Sequence, residues 1–363
     1  MVKTFLSMED LKEVFKVKSR LRDYSIFIAD SIFQVENNFS GYQLVFIDDS
    51  LAYLEDRPNM IRLSCDENLK SWDSIGFIID IFIQNNISKA SKILVVGGGV
   101  IQDAISFVCS IFSRGVNFDF VPTTLLSMVD SCIGGKTSIN FKESKNKIGT
   151  YFPPKRIILC VKFLNSLDRN QILSGAGEIF KFCVLQNKIS YFIKLFSGVN
   201  TISTELIIDQ LMYKSQIIEV DEFDQKERLL LNYGHTFGHA LEASSKYNIP
   251  HGLAVVIGLC IANRVSFAQK KISFQKMFEI EEVASSLVSS FSCNPQWFEF
   301  DVLVKFIRND KKNDSKSIRM ILFDNDFESF LIKTIHESDL KKWYSEFVHD
   351  LLRNLKIKLN AYS

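Results

Sequence analysis

Short apolar runs rich in β-branched residues punctuate the first half of the chain, at 24–29, 43–47, 61–63, 93–96, 118–121 and 157–160. Between them, apolar positions recur at helical spacing over 72–85 and 100–112. Strands alternating with helices predict a parallel sheet with helices on its faces. From about residue 170 the period changes. Long amphipathic stretches follow at 170–185, 204–219, 230–247 and 253–269, with few strand-like runs. The pattern predicts an α/β domain over 1–168 and a mainly helical domain over 169–363. The end, 340–359, reads as a basic amphipathic helix packed on the body or on a partner subunit.

Composition fits two domains, since 363 residues suit about two at roughly 100–200 residues each. With 43 Lys and Arg against 42 Asp and Glu, the formal charge is only +1, and no basic stripe marks a nucleic-acid protein. The 32 Phe are scattered among Ile and Leu and read as core filling. The longest apolar run, 253–262 broken only by Gly258, is short for a bilayer span of about 20 residues, so no membrane partner is expected. At the N-terminus Glu9 and Asp10 precede any apolar stretch, so no signal peptide is expected. Seven Cys without a C-x-x-C pair read as reduced thiols in a cytoplasmic protein.

The first chemical feature is KILVVGGGVIQD at 92–103, a buried strand running through Gly97, Gly98 and Gly99 into a helix that carries Asp103. Such a turn brings backbone N–H groups and a helix N-terminus to a phosphate. It is not the G-x-G-x-x-G fingerprint, and on this segment alone a plain strand-to-helix turn explains it equally well. Asp48 and Asp49 end an earlier strand, and Glu67 with Lys70 follow the next. Carboxylates there are where a dinucleotide ribose is often held. A denser block follows: VPTTLLSMVD ending at Asp130, SCIGGKT with Lys136, and KNKIG with Lys145 and Asn146. Gly-rich turns with Lys suit a phosphate-bearing anion.

Five His are present, and three of them, His235, His239 and His251, fall within 17 residues. His235 and His239 lie on one face of a helix. Imidazoles plus one carboxylate form a common catalytic zinc shell with an open position. Glu178, in GAGEIFK with Lys181 three residues on, can supply the carboxylate. On spacing alone, His235 and His239 both bind the metal.

Taken in order, GGGVIQD, VPTTLL, VDSCIGGKTSIN, KNKIG, GAGEIFK, LNYGHTFGHALE and HGLAV resemble the dehydroquinate synthase family of sugar-phosphate cyclases over roughly 45–325. The resemblance implies a nucleotide-binding α/β domain before a helical metal domain, and a cytoplasmic homodimeric enzyme using NAD and Zn2+ or Co2+. Its metal ligands would be Glu178, His235 and His251, which moves His239 from ligand to proton handling at substrate. NAD would lie on Gly97, Gly98, Gly99 and Asp103, with Asp48, Glu67, Lys70, Thr123, Thr124 and Lys145 around it. Asp130, Lys136, Asn146, Lys181, Lys214, Arg228, Asn232 and one of Lys311 or Lys312 would surround substrate. Arg114 resembles the family's phosphate-contacting arginine, reaching in from the neighbouring subunit.

Lys214 and Arg228 match positions that hold a substrate carboxylate, so the implied substrate is a phosphorylated keto-acid sugar, 3-deoxy-D-arabino-heptulosonate 7-phosphate, converted to 3-dehydroquinate. Three residues depart from the family pattern: Gln102 for Gly, Leu253 for a polar residue after His-Gly, and Gly177 for Ala. They leave open a cyclase for a related substrate such as sedoheptulose 7-phosphate. A glycerol-type NAD-dependent alcohol dehydrogenase shares the two-domain plan. The Lys145-Asn146 block and the Lys214/Arg228 pair disfavour it, because a small neutral alcohol offers them no anion.

Overall fold

The computed structural model describes residues 11–142, 144–196, 202–289, 291–308, 317–324, 327 and 329–359, with side chains to 193 in the second of these stretches. The chain forms two compact units. One takes in the described residues of Met1–Asp168 with Ile202–Asp224, the other those of Arg169–Thr201 with Gln225–Ser363.

The first unit is built on a seven-stranded sheet. Its strands are β1 (Lys12–Val17), β2 (Tyr24–Ile28), β3 (Leu44–Asp48), β4 (Met60–Leu63), β5 (Ile93–Gly97), β6 (Phe118–Pro122) and, after the hairpin of β7 (Lys136–Phe141) and β8 (Ser144–Tyr151), β9 (Arg156–Leu159). Their order is β1-β2-β9-β6-β5-β3-β4, parallel throughout except for the antiparallel β1–β2 pair at one edge. β5 and β6 are buried along their whole length, as expected of strands covered on both faces. Helices α1 (Ile32–Asn37), α2 (Trp72–Gln84) and α3 (Gly99–Ile111) supply the connections. Ser71 caps α2 by accepting the Ser74 N–H, while Gly98 precedes α3 with no side-chain cap.

The sequence reading finds β2–β6, β9, α2 and α3. It misses β1 and the β7–β8 hairpin, whose polar, Lys-rich residues carry no apolar alternation. At the start of the strands, Asp119 accepts from Tyr42 Oη at 2.8 Å and from the Arg156 guanidinium at 2.6 and 3.0 Å, tying β6 to β9. Chain reversal occurs at the opposite end. β3 leads outward to β4, whereas its neighbour β5 leads the other way, so Asp48 and Gly97 flank the point where an open α/β sheet takes a ligand.

After α4 (Arg169–Leu185) and α5 (Ile189–Phe196), the chain adds α6 (Thr204–Val220) to the first unit. The expectation that 169–363 forms one domain is corrected here. Lys214 on α6 binds the Asp130 carboxylate at 2.8 Å and the Ile133 carbonyl at 3.2 Å, and Glu222 accepts the Arg20 N–H at 2.7 Å. Those polar anchors all lie on first-unit loops.

The second unit packs α4, α7 (His235–Ser244), α8 (His251–Ala268), α9 (Phe274–Val288), α10 (Phe300–Arg308) and α11 (Glu337–Asn354). It also holds a hairpin of β11 (Ser317–Asp324) and β12 (Ser329–His336), and a two-residue parallel pair of β10 (Ser292–Cys293) and β13 (Lys358–Leu359). The expected helix over 230–247 divides at Gly234, and the terminal helix stops at Asn354 rather than running to 359. Helix α8 is long and apolar enough by composition to cross a membrane, yet it is buried on nearly every face. It is a core helix, tied through Arg264 to Glu281 on α9 at 2.6 Å, which Asn354 of α11 also reaches at 2.9 Å.

The close packing of α4, α7 and α8 depends on missing side chains. A Cβ on Gly177 of α4 would stand 2.2 Å from the Gly252 carbonyl oxygen, and one on Gly258 of α8 would stand 2.1 Å from that of Gly234. Ala at a helix interior gains about 1 kcal/mol of propensity over Gly, while overpacking costs about 1–3 kcal/mol. Against a rigid backbone 2.2 Å away the second effect wins. Gly177→Ala is therefore expected to lower the unfolding free energy in a denaturant titration. Gly76→Ala, on α2 with nothing within 4 Å, is expected to raise it by about 0.5–1 kcal/mol. Equal effects at the two sites would remove the packing argument.

Candidate functional site

In the second unit, three side chains converge. Glu178 lies in a run of ten consecutive buried residues on α4, Gly175–Val184. His251 opens α8 and His235 opens α7, the latter directly after Gly234 in a left-handed conformation (φ 82°). His251 Nε2 is 3.2 Å and His235 Nε2 is 3.6 Å from Glu178 Oε1. Their remaining ring nitrogens are taken: His251 Nδ1 lies 3.1 Å from Glu242 Oε2, and His235 Nδ1 3.2 Å from the Tyr233 carbonyl. A proton on each Nδ1 satisfies both contacts, so that once the proton His251 Nε2 shares with Glu178 is displaced, both Nε2 atoms can ligate, the arrangement in which carboxylates and carbonyls orient metal-bound His.

Burial works against charge on Glu178, but Lys181 and His251 outweigh it and hold its carboxyl down to about 2. Burial and the nearby Lys181 push His235 well below the usual imidazole range. Burial also opposes charge on His251, but Glu178 and Glu242 raise it to about 10. Buried Lys181 pairs with Glu178 Oε2 and donates to the Leu231 carbonyl at 2.9 Å.

Among the described residues, two groups have donor atoms within 4.8 Å of one another: Glu178, His235 and His251, and His239, Glu242 and His251. They compete for His251. The second requires Nδ1, which Glu242 already orients, and contains His239, which is exposed. The first uses the two Nε2 atoms that face Glu178 Oε1 and is the better candidate metal site. His239, which spacing alone makes a ligand, stands beside this group with its ring 5.1 Å from that of His235. Arg228 is buried and Asn232 half-buried on the short turn before α7.

In the first unit, β5 ends at Gly97, where a Cβ would fall 2.5 Å from Ile101 Cγ2 and 3.2 Å from Asp48 Cβ; at Gly98 one would meet Thr124 Cγ2 at 3.0 Å. These glycines let the β5–α3 turn pack directly against Asp48, Ile101 and Thr124 at the α3 N-terminus. Asp48 accepts from the Ser50 N–H at 3.0 Å, and Thr123 donates its N–H to the Gly97 carbonyl at 2.9 Å. Thr124 and Ser127 pair through their hydroxyls at 2.9 Å. Buried Lys70 donates to Asp103 at 2.7 Å, to Ser138 at 3.2 Å and to Asn146, while Asn140 donates to Glu67 at 3.0 Å. Asp130 sits in a π-helical turn, Ser127–Ser131, paired with Lys214. Lys136 pairs with Asp224.

One expected residue stands apart from these clusters. Arg114 is exposed beyond the far end of the 13-residue α3, about 20 Å along the helix from the glycine turn. Lys145 is exposed on β8. Lys311 and Lys312 lie outside the described residues. Sequence reading gives no role to Ser138, Tyr233, Asp224 or Glu242. Only Glu242, three residues after His239 inside the His-rich segment, carried a signal that could have found it.

Comparison with known proteins agrees with this architecture. Residues 60–174 match the family model for the 3-dehydroquinate synthase N-terminal region, and 175–313 match that for its C-terminal region. A 3-dehydroquinate synthase of Streptococcus equi subsp. equi is 32% identical over 354 residues, covering 92% of this chain and 98% of the relative. A crystal structure of 2-deoxy-scyllo-inosose synthase with carbaglucose-6-phosphate, NAD+ and Co2+ matches the fold at a TM-score of 0.76 and 18% identity, covering 93% of this chain and 99% of that one. The 2-epi-5-epi-valiolone synthase of Streptomyces hygroscopicus subsp. jinggangensis, with NAD+ and Zn2+ bound, matches with the same TM-score, identity and coverage. With both halves of the chain matched in order and a relative aligned along nearly its full length, the chain belongs to the 3-dehydroquinate synthase family.

Proposed function

We propose that this enzyme is a 3-dehydroquinate synthase. It takes 3-deoxy-D-arabino-heptulosonate 7-phosphate to 3-dehydroquinate and phosphate by transient oxidation, phosphate elimination, re-reduction and intramolecular aldol closure. The observation that carries the reading is the donor set of Glu178 with two Nε2 atoms whose rings are already oriented by Tyr233 and Glu242. A fully buried carboxylate whose Oε1 lies within 3.6 Å of both imidazole Nε2 atoms is a donor set that fits a divalent cation. The glycine turn at Gly97 and Gly98, beside Asp48 and Thr124 at the switch point of the sheet, fits the pyrophosphate and ribose of NAD.

When bound, NAD would accept a hydride from the ring carbon that bears a hydroxyl and later return it, and zinc or cobalt would lower the pKa of that hydroxyl. Gly97, Gly98, Gly99 and Thr123 hold the dinucleotide, with Asp48, Glu67, Lys70, Asp103, Thr124 and Lys145 around it. Glu178, His235 and His251 hold the metal. His239, exposed beside the cluster, takes and returns the substrate hydroxyl proton. Lys214 and Arg228 bind the substrate carboxylate. The Lys214 ammonium has three donors, all spent on Asp130 and Ile133, so substrate takes over one of them. Lys136, Asn146, Lys181, Asn232, Asp130 and one of Lys311 or Lys312 complete the polar surround, where cations offset charge developing on oxygen. The homodimer, with Arg114 serving the neighbouring subunit's phosphate, and a cytoplasmic setting belong to the same reading.

Purified protein with the keto-acid phosphate, NAD and zinc is expected to release phosphate with no net rise at 340 nm. Lasting NADH accumulation would point to a dehydrogenase, and release only from sedoheptulose 7-phosphate would change the substrate. His235→Ala is expected to lose both zinc, by metal analysis, and turnover. His239→Ala is expected to keep zinc and lose about 10²–10⁴ in kcat. Glu242→Gln is expected to weaken zinc about 10–100-fold; full zinc affinity there would remove Glu242 from the metal's support.

A further inference from the structure

Gln102 stands one residue before Asp103 on the first turns of α3, where the family pattern carries Gly. It is only 4% exposed, and both ends of its amide are used on one residue. Its Nε2 donates to the Ser131 carbonyl at 3.1 Å, and its Oε1 accepts from the Ser131 hydroxyl at 3.2 Å. Ser131 closes the π-helical turn that carries Asp130. Its hydroxyl also sits 3.6 Å from where a Cβ on Gly99 would be, so the turn rests against the glycine cradle.

We infer that Gln102 is a positioning residue for Asp130: a two-point clamp that fixes the Asp130 turn, and with it the Asp130–Lys214 pair, against the dinucleotide turn. A single hydrogen bond to the carbonyl would leave the turn free to pivot. Two antiparallel bonds to one residue fix its orientation as well as its distance. A glycine at 102 has no side chain to offer either bond. In this chain the placement of a substrate-facing carboxylate is thus set from the helix that opens at the nucleotide cradle. The inference rests on the cyclase reading for its kinetic consequence but not for the clamp itself.

Gln102→Met keeps length and volume while removing both bonds. It is expected to raise KM for the keto-acid phosphate about three- to tenfold with kcat within about twofold, the scale of one or two neutral hydrogen bonds. Backbone amides over 128–133 should exchange with deuterium faster, with the thermal midpoint nearly unmoved. Ser131→Ala, which loses only the hydroxyl bond, should give a smaller rise, and adding it to Gln102→Met should cost nothing further. Unchanged KM with unchanged exchange overturns the clamp, as does a parallel fall in kcat and thermal midpoint, which would mark a merely structural residue. Should the wild-type protein not turn over this substrate, the functional reading fails while the exchange measurement still decides the clamp. Should Gln102→Met not fold, Ser131→Ala carries the same test.

Discussion

Backbone-to-backbone contact among α4, α7 and α8 is the constraint on which the second unit's chemistry depends. Helices with ordinary side chains at their crossing stand about 8–10 Å apart, whereas here glycines let backbone meet backbone. Here each proposed ligand is the chain neighbour of a glycine that lies against a facing backbone: Glu178 follows Gly177, His235 follows Gly234, and His251 precedes Gly252. The glycines hold the three side chains at ligating range before any ion arrives.

Charge is handled with the same economy in both units. Buried or half-buried cations already face anions: Lys70 with Asp103, Lys214 with Asp130, Lys181 with Glu178 and Arg264 with Glu281. A near-zero net charge is what such pairing leaves over. Because removing one partner from a buried pair is costly, these cations are held in place by the anions they face.

The strands and helices that bury apolar faces were legible, since period follows directly from which face meets the core. β5, β6 and α3 read correctly for that reason. The β7–β8 hairpin was not legible. Its residues are chosen for Lys70, Ser138 and Asn146 chemistry, and long-range hydrogen bonds of that kind leave no periodic trace. The His cluster is visible as a cluster, but spacing points to His235 with His239, whereas the proposed ligand set turns on Glu178, 57 positions before His235, and on the ring nitrogens that Tyr233 and Glu242 engage. Gly177 and Gln102 showed as departures from a family pattern. Their meaning lay in a facing backbone and a facing serine, which the linear chain cannot display.

The return of α6 to the first unit has a temporal consequence. During synthesis at about 5–20 residues per second, the sheet strands through β9 emerge together, yet the unit lacks the helix that anchors its Asp130 turn until α4, α5 and α6 have followed. The nascent sheet therefore waits several seconds with a carboxylate and two carbonyls unclaimed. No single cut in the chain separates the two units, and a fragment ending at the apparent boundary after Asp168 would carry every strand of the sheet while missing the lysine that completes it.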